Sequence, residues 1–83
     1  MNGTVRVKFF ASYAELVGRE ESELDLPLPA TVADVVRRVR EAIPGAARLP
    51  EQPLTAVNLK HVRLEAPVAA GDEVALLPPL AGG

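Results

Sequence analysis

Apolar residues return at every second position in three stretches of the chain and at helical spacing in a fourth, and these periods define the elements. Val5, Val7 and Phe9 alternate with Arg6, Lys8 and Phe10, which predicts a half-buried strand over Val5 to Phe10. Ser12-Tyr13-Ala14-Glu15 has the spacing of a capping box, and Gly18 can take the left-handed turn that closes a helix, so a short helix is expected after the first strand. Glu23-Leu24-Asp25-Leu26 alternates again before Pro27 and Pro29 interrupt pairing. Thr31-Val32-Ala33-Asp34 repeats the capping logic, with Asp34 a shorter stand-in for glutamate. Behind it Val32, Val35, Val36, Val39 and Ile43 fall on one helical stripe, with Arg37, Arg38, Arg40 and Glu41 on the solvated side.

Pro44-Gly45 ends that helix, and Ala46 to Pro53 reads as an irregular connection. Leu54 to Leu59 is expected as a third strand and Val62 to Leu64 as a short fourth. Gly71-Asp72 reads as a turn, and Glu73 to Leu77 as the last strand, cut off by Pro78-Pro79. One main helix with four to five strands implies an α+β domain over residues 1–77: a mixed sheet, covered by that helix on one face, with the short helix after strand one. Val5, Val7, Phe9, Val74 and Leu76 belong on the covered face. Alternation then sends Phe10 and Leu77 to the open face, where they are either solitary apolar residues of an ordinary surface or the centre of a partner contact.

Composition narrows the chemistry. The 83 residues are 48% hydrophobic and 24% charged, enough for one small core and far from disorder or a membrane span. The absence of cysteine removes disulfides, thiolate metal sites and cysteine nucleophiles together. With His61 the one histidine, no metal cluster or nucleophile-histidine pair is within reach, so a self-sufficient enzyme is not expected. Asp72 and Glu73 are adjacent carboxylates, but neighbours in a strand point to opposite faces and cannot act together. A net charge of −2 supplies no basic field for nucleic acid or anionic lipid, so neither nucleic acid nor membrane is an expected partner. Met1-Asn2-Gly3-Thr4 runs straight into the first strand without a basic segment and apolar stretch, which makes the cytoplasm the expected compartment.

The chain end carries the most information. Pro78-Pro79-Leu80-Ala81-Gly82-Gly83 begins with two residues that cannot donate to a sheet ladder and that bias their predecessors toward extended backbone. Residues 78–83 therefore read as a stiff arm that narrows to two glycines, able to thread a channel about 20 Å deep. Its one reactive group is the α-carboxylate of Gly83. A carboxylate is a poor electrophile until another enzyme adenylates it, so the tail presents a handle for chemistry done elsewhere. The competing reading is a frayed terminus.

Val7-Lys8-Phe9-Phe10-Ala11, Glu15-Leu16-Val17-Gly18, Ala56-Val57-Asn58, Gly71-Asp72-Glu73-Val74-Ala75 and the Pro-Pro-Leu-Ala-Gly-Gly ending resemble, in that order and over nearly the whole chain, the small subunits of molybdopterin synthase. These are the MoaD-type sulfur carriers, also called molybdopterin-converting factor subunit 1. The resemblance implies a ubiquitin-like β-grasp fold. It implies that a ubiquitin-activating-type adenylyltransferase uses ATP to convert Gly83 to an acyl adenylate, and that a sulfur donor enzyme then leaves a thiocarboxylate. The loaded tail, Pro78, Pro79, Leu80, Ala81, Gly82 and Gly83, would enter the large subunit of the synthase and give sulfur to cyclic pyranopterin monophosphate. No bound cofactor is implied. Phe10 and Leu77 match positions that face the large subunit, and His61 stands where the family usually has an apolar interface residue. Two alternatives stay open: a carrier for thiamine thiazole synthesis, tRNA thiolation or lysine conjugation, and a β-grasp binding module with an inert tail.

Overall fold

The computed structural model describes residues 1–79. Strand β1 spans Asn2–Phe9 and turns through helix α1, Ser12–Val17, into β2, Glu21–Pro27. A two-residue strand β3, Ala30–Thr31, leads into the long helix α2, Val32–Ala42. A 3-10 turn at Ala46–Arg48 follows, then β4, Leu54–Val57, β5, Lys60–Val62, the short β6, Pro67–Val68, and β7, Glu73–Leu77. The main sheet has the order β2-β1-β7-β4-β5, with β1 and β7 parallel and every other pair antiparallel. The first and last strands of the chain thus lie side by side, and β7 is the central strand.

The covered face forms as the alternation requires. Val5, Val7, Phe9, Leu24, Leu26, Val74 and Leu76 are all buried against Val32, Val35, Val36, Val39 and Ile43 of α2. The helix starts where its capping box predicts: Thr31 Oγ1 accepts from the Asp34 amide at 3.3 Å, and Asp34 Oδ2 accepts from the Thr31 amide at 2.9 Å. The amides of Val32 and Ala33 donate to Ala66 and Leu64 carbonyls, both at 2.9 Å, so first-turn donors that a helix leaves unpaired find acceptors in the β5–β6 loop.

Several details depart from the sequence expectations. No side-chain cap forms at α1, because Ser12 is already helical and Ala11, at φ 50, is the N-cap. The carbonyls of Phe10 and Ala11 accept from Tyr13 and Ala14 at 3.0 and 3.1 Å, which starts the turn one residue too early for Ser12 to cap it. The expected strand through Leu59 stops at Val57: Asn58 and Leu59 have φ of 50 and 73 and form a two-residue hairpin turn of the kind that needs positive φ at both centres. The next strand consequently begins at Lys60 rather than Val62. Arg40 is not on the solvated side. Its Nε donates to the Leu49 carbonyl at 2.9 Å, clamping the connection that drives Ala46 and Leu49 into the core. The β3–β6 pair, Ala30 opposite Val68, is a second small sheet that two-residue strands are too short to announce in a sequence.

Candidate functional site

The open face of the main sheet is built by the residues whose neighbours are buried. Since Val5, Val7, Val74 and Leu76 point to the core, the register places Arg6, Lys8, Glu73, Ala75 and Leu77 on the other side. In β4 and β5 the same register gives Leu54, Ala56 and His61. Two halves result. Across β2 and β1 the face is charged and self-neutralising: Glu21 lies opposite Lys8, Glu23 opposite Arg6, and Lys8 Nζ reaches Glu73 at 3.3 Å. Across β7, β4 and β5 it is apolar, with Leu77 opposite Leu54 and Ala75 opposite Ala56, which in turn faces His61.

Each residue singled out by sequence has a place here. Leu77 is half-buried at the end of β7, and Pro78 and Pro79 follow it out of the sheet. Phe10 is 43% exposed, but β1 ends at Phe9, so alternation does not set its direction. Its position is fixed by its amide, which donates to the Leu76 carbonyl at 3.3 Å, one residue from Leu77. Phe10 borders a recess of about 310 Å³ with Lys8, Ala14 and Glu21. His61 is exposed on edge strand β5 and borders a separate recess of about 430 Å³ with Pro53, Leu54 and Arg63. The two recesses share no lining residue, so the structure sets Phe10 and His61 at separate margins of the face. Leu80, Ala81, Gly82 and Gly83 lie outside the described residues.

Two apolar residues of this region were not singled out from the sequence. Leu54, 50% exposed, was legible: once β4 is a strand whose Thr55 is buried, its neighbours Leu54 and Ala56 must face outward. Leu59, 86% exposed, carried no such signal because its turn lacks glycine. No group of three or more metal-ligating side chains occurs among the described residues. Nor does any described helix have the length and apolarity to cross a membrane. The Gly71-Asp72-Glu73 segment proves architectural: Gly71 has φ 87, and Asp72 accepts from Asn58 Nδ2 at 3.1 Å and from the Ala69 amide at 2.8 Å. Asn58 Oδ1 accepts from the Glu73 amide at 3.0 Å, tying the β4–β5 hairpin to the start of β7.

A five-stranded mixed sheet with one helix packed on it, and a chain end leaving the central strand beside an uncovered apolar strip, makes this a ubiquitin-like β-grasp protein of the α+β class. The chain belongs to the ThiS family, which matches residues 7–83. It is 35% identical over 80 residues to the molybdopterin synthase sulfur carrier subunit of Escherichia coli K12, covering 95% of this chain and 99% of that one. SAMP1 from Haloferax volcanii superposes with a TM-score of 0.83 at 31% identity, over 98% of this chain and 100% of that one. A complex of subunits 1 and 2 of the molybdopterin-converting factor from Helicobacter pylori 26695 contains a chain similar at TM-score 0.64 and 25% identity, covering 96% and 99%.

Proposed function

We propose that this protein is the sulfur-carrying small subunit of a molybdopterin synthase, acting in the cytoplasm as an obligate partner of a large subunit. The observation that carries the reading is the junction at the end of β7: the central strand delivers Leu77 to the apolar half of the open face and then leaves it through Pro78-Pro79. A partner docked on Leu77, Leu54 and the Ala75–Ala56 pair takes the Gly82-Gly83 end into its own site in the same act. The globular part is the grip and the terminal carboxylate of Gly83 is the cargo point.

In this reading an adenylyltransferase of the ubiquitin-activating type transfers AMP from ATP to Gly83, releasing pyrophosphate. A persulfide on a donor enzyme then attacks the acyl carbon and AMP departs, and a thiol cleaves the resulting acyl disulfide to leave a thiocarboxylate on Gly83 and a disulfide on the donor. Within the complex that sulfur passes to cyclic pyranopterin monophosphate, and two such transfers complete the dithiolene. This chain has no cysteine, so the terminal carboxylate is the one group on it suited to hold transferable sulfur. The test is intact mass after incubation with ATP, the activating enzyme and a sulfur source. A gain equal to exchange of one oxygen for sulfur, absent in a chain lacking Gly83, is expected; an unchanged mass overturns the carrier role.

The likeness to SAMP1, whose full name is small archaeal modifier protein 1, favours a second reading, in which the activated Gly83 is captured by a lysine amine of another protein. Conjugates of raised mass that survive reducing conditions would distinguish it.

A further inference from the structure

The tip of the β4–β5 hairpin combines two features that each work against stability. Leu59 lies at φ 73, where its side chain crowds the backbone and where a two-residue turn ordinarily carries glycine. It is also 86% exposed, so burial offers no compensation. The turn itself is set by its neighbour: Asn58, a residue that tolerates positive φ, exchanges bonds with Glu73 through its amide at 2.9 Å and its Oδ1 at 3.0 Å. Leu59 is carried through that turn and held clear of its own core. It borders a shallow recess with Lys8, Asn58 and Glu73. Lys8 and Glu73 stand on the open face, so Leu59 overhangs the same side of the sheet as Leu54 and Leu77, at the end of β4 remote from the tail.

We infer that Leu59 is an apolar anchor at the far margin of the docking surface, seated in a non-polar depression of the same large subunit that covers Leu54 and Leu77. This rests on the docking reading proposed above. Continuity argues for one occupant: Leu54, Ala56 and the hairpin tip follow one another along β4, and a partner lying flat over the first two meets Leu59 next. The recess that Leu59 borders is charge-balanced, because its Lys8 and Glu73 pair with each other at 3.3 Å. A bulky residue kept in a backbone region that glycine would occupy without strain is what a conformation retained for contact requires.

Leu59→Gly separates contact from folding, because glycine relieves the backbone while deleting the side chain. Thermal unfolding of the free protein and its affinity for the large subunit encoded in the same genome are measured for the parent, Leu59→Gly and Leu77→Glu. The expected result is a melting temperature for Leu59→Gly no lower than the parent's, together with binding about tenfold weaker, the loss that one deeply buried apolar side chain causes. Parental affinity in Leu59→Gly beside strong loss in Leu77→Glu overturns the anchor and leaves the docking face standing. Parental affinity in both variants overturns the docking face and the anchor with it. A clearly lowered melting temperature in Leu59→Gly also overturns the inference, since it shows that contacts within this chain hold the leucine.

Discussion

Phe9 and Phe10 are consecutive, chemically identical and opposite in environment, at 3% and 43% exposure. Phe9 ends β1 pointing into the core between sheet and helix, and its truncation to alanine should cost about 3–5 kcal/mol. In a domain whose whole stability is of order 5–15 kcal/mol, that is enough to leave a large unfolded fraction, visible in a denaturant titration. Phe10→Ala should leave the midpoint within about 0.5 kcal/mol of the parent while weakening capture by the large subunit by about 1 kcal/mol or more, as an aromatic side chain buried at an interface does. The pair therefore separates folding from docking at neighbouring positions. Equal loss of stability in both variants would mean that Phe10 is part of the core, and equal affinity of Phe10→Ala and parent would remove it from the interface.

The capping box of α2 makes the corresponding argument for an element. Asp34 is held below the ordinary carboxylate range, chiefly by the Thr31 amide it accepts, with Arg37 contributing and partial burial opposing. A depressed native pKa means that this contribution is fully present above the unfolded value, near 4, and is lost as pH falls through the lower native one. Thermal unfolding from about pH 5 down to about pH 2.5 should therefore show a shallower loss of melting temperature in Asp34→Asn than in the parent; parallel curves would remove Asp34 as a source of acid sensitivity. Thr31→Ala should cost about 1 kcal/mol at neutral pH, roughly 4–8 °C in a domain of this size. This element was legible because its signals are local: a capping pair three residues apart and an apolar stripe at i, i+3, i+4. Strands β1, β2 and β7 were legible through alternation, and β4 as far as Val57, whereas β5 was expected two residues too late. What escaped was set by partners distant in sequence or by turn chemistry without its usual residue. Arg40 looked solvated until Leu49 folded back beneath it. The β3–β6 pair joins residues 30–31 to 67–68, beside the Leu64 and Ala66 carbonyls that accept the first amides of α2, and two residues show no alternation. The hairpin at Asn58-Leu59 went unread because leucine stands where glycine signals a turn. The tail's chemistry was readable from residue type alone, whereas the surface that presents it needed the register of β4 against β7.

For the whole molecule the decisive fact is that the tail departs from the middle of the sheet. Strand β7 is hydrogen-bonded on both sides, to β1 as far as Leu76 and to β4 as far as Leu77, while Pro78 and Pro79 can donate to neither ladder. Folding and tail chemistry should therefore be separable. Removing residues 80–83 takes away no ladder bond and no core side chain among the described residues, so the melting temperature is expected to stay within about 1–2 °C of the parent, the size of a surface change. Oxygen-for-sulfur exchange should disappear completely, because the new terminal carboxylate, on Pro79, lies two residues from β7 and has no narrow arm to carry it into the activating enzyme. Replacing Gly82 with tryptophan tests the narrower point: fold and open face remain, yet an indole on the residue next to the reacting acyl group should block entry to the activating enzyme. Normal activation of Gly82→Trp would mean that the channel is wide, and the glycines would then need another explanation. Loss of stability on truncation would show instead that the end of the chain helps hold the sheet together, which a freely presented carboxylate cannot do.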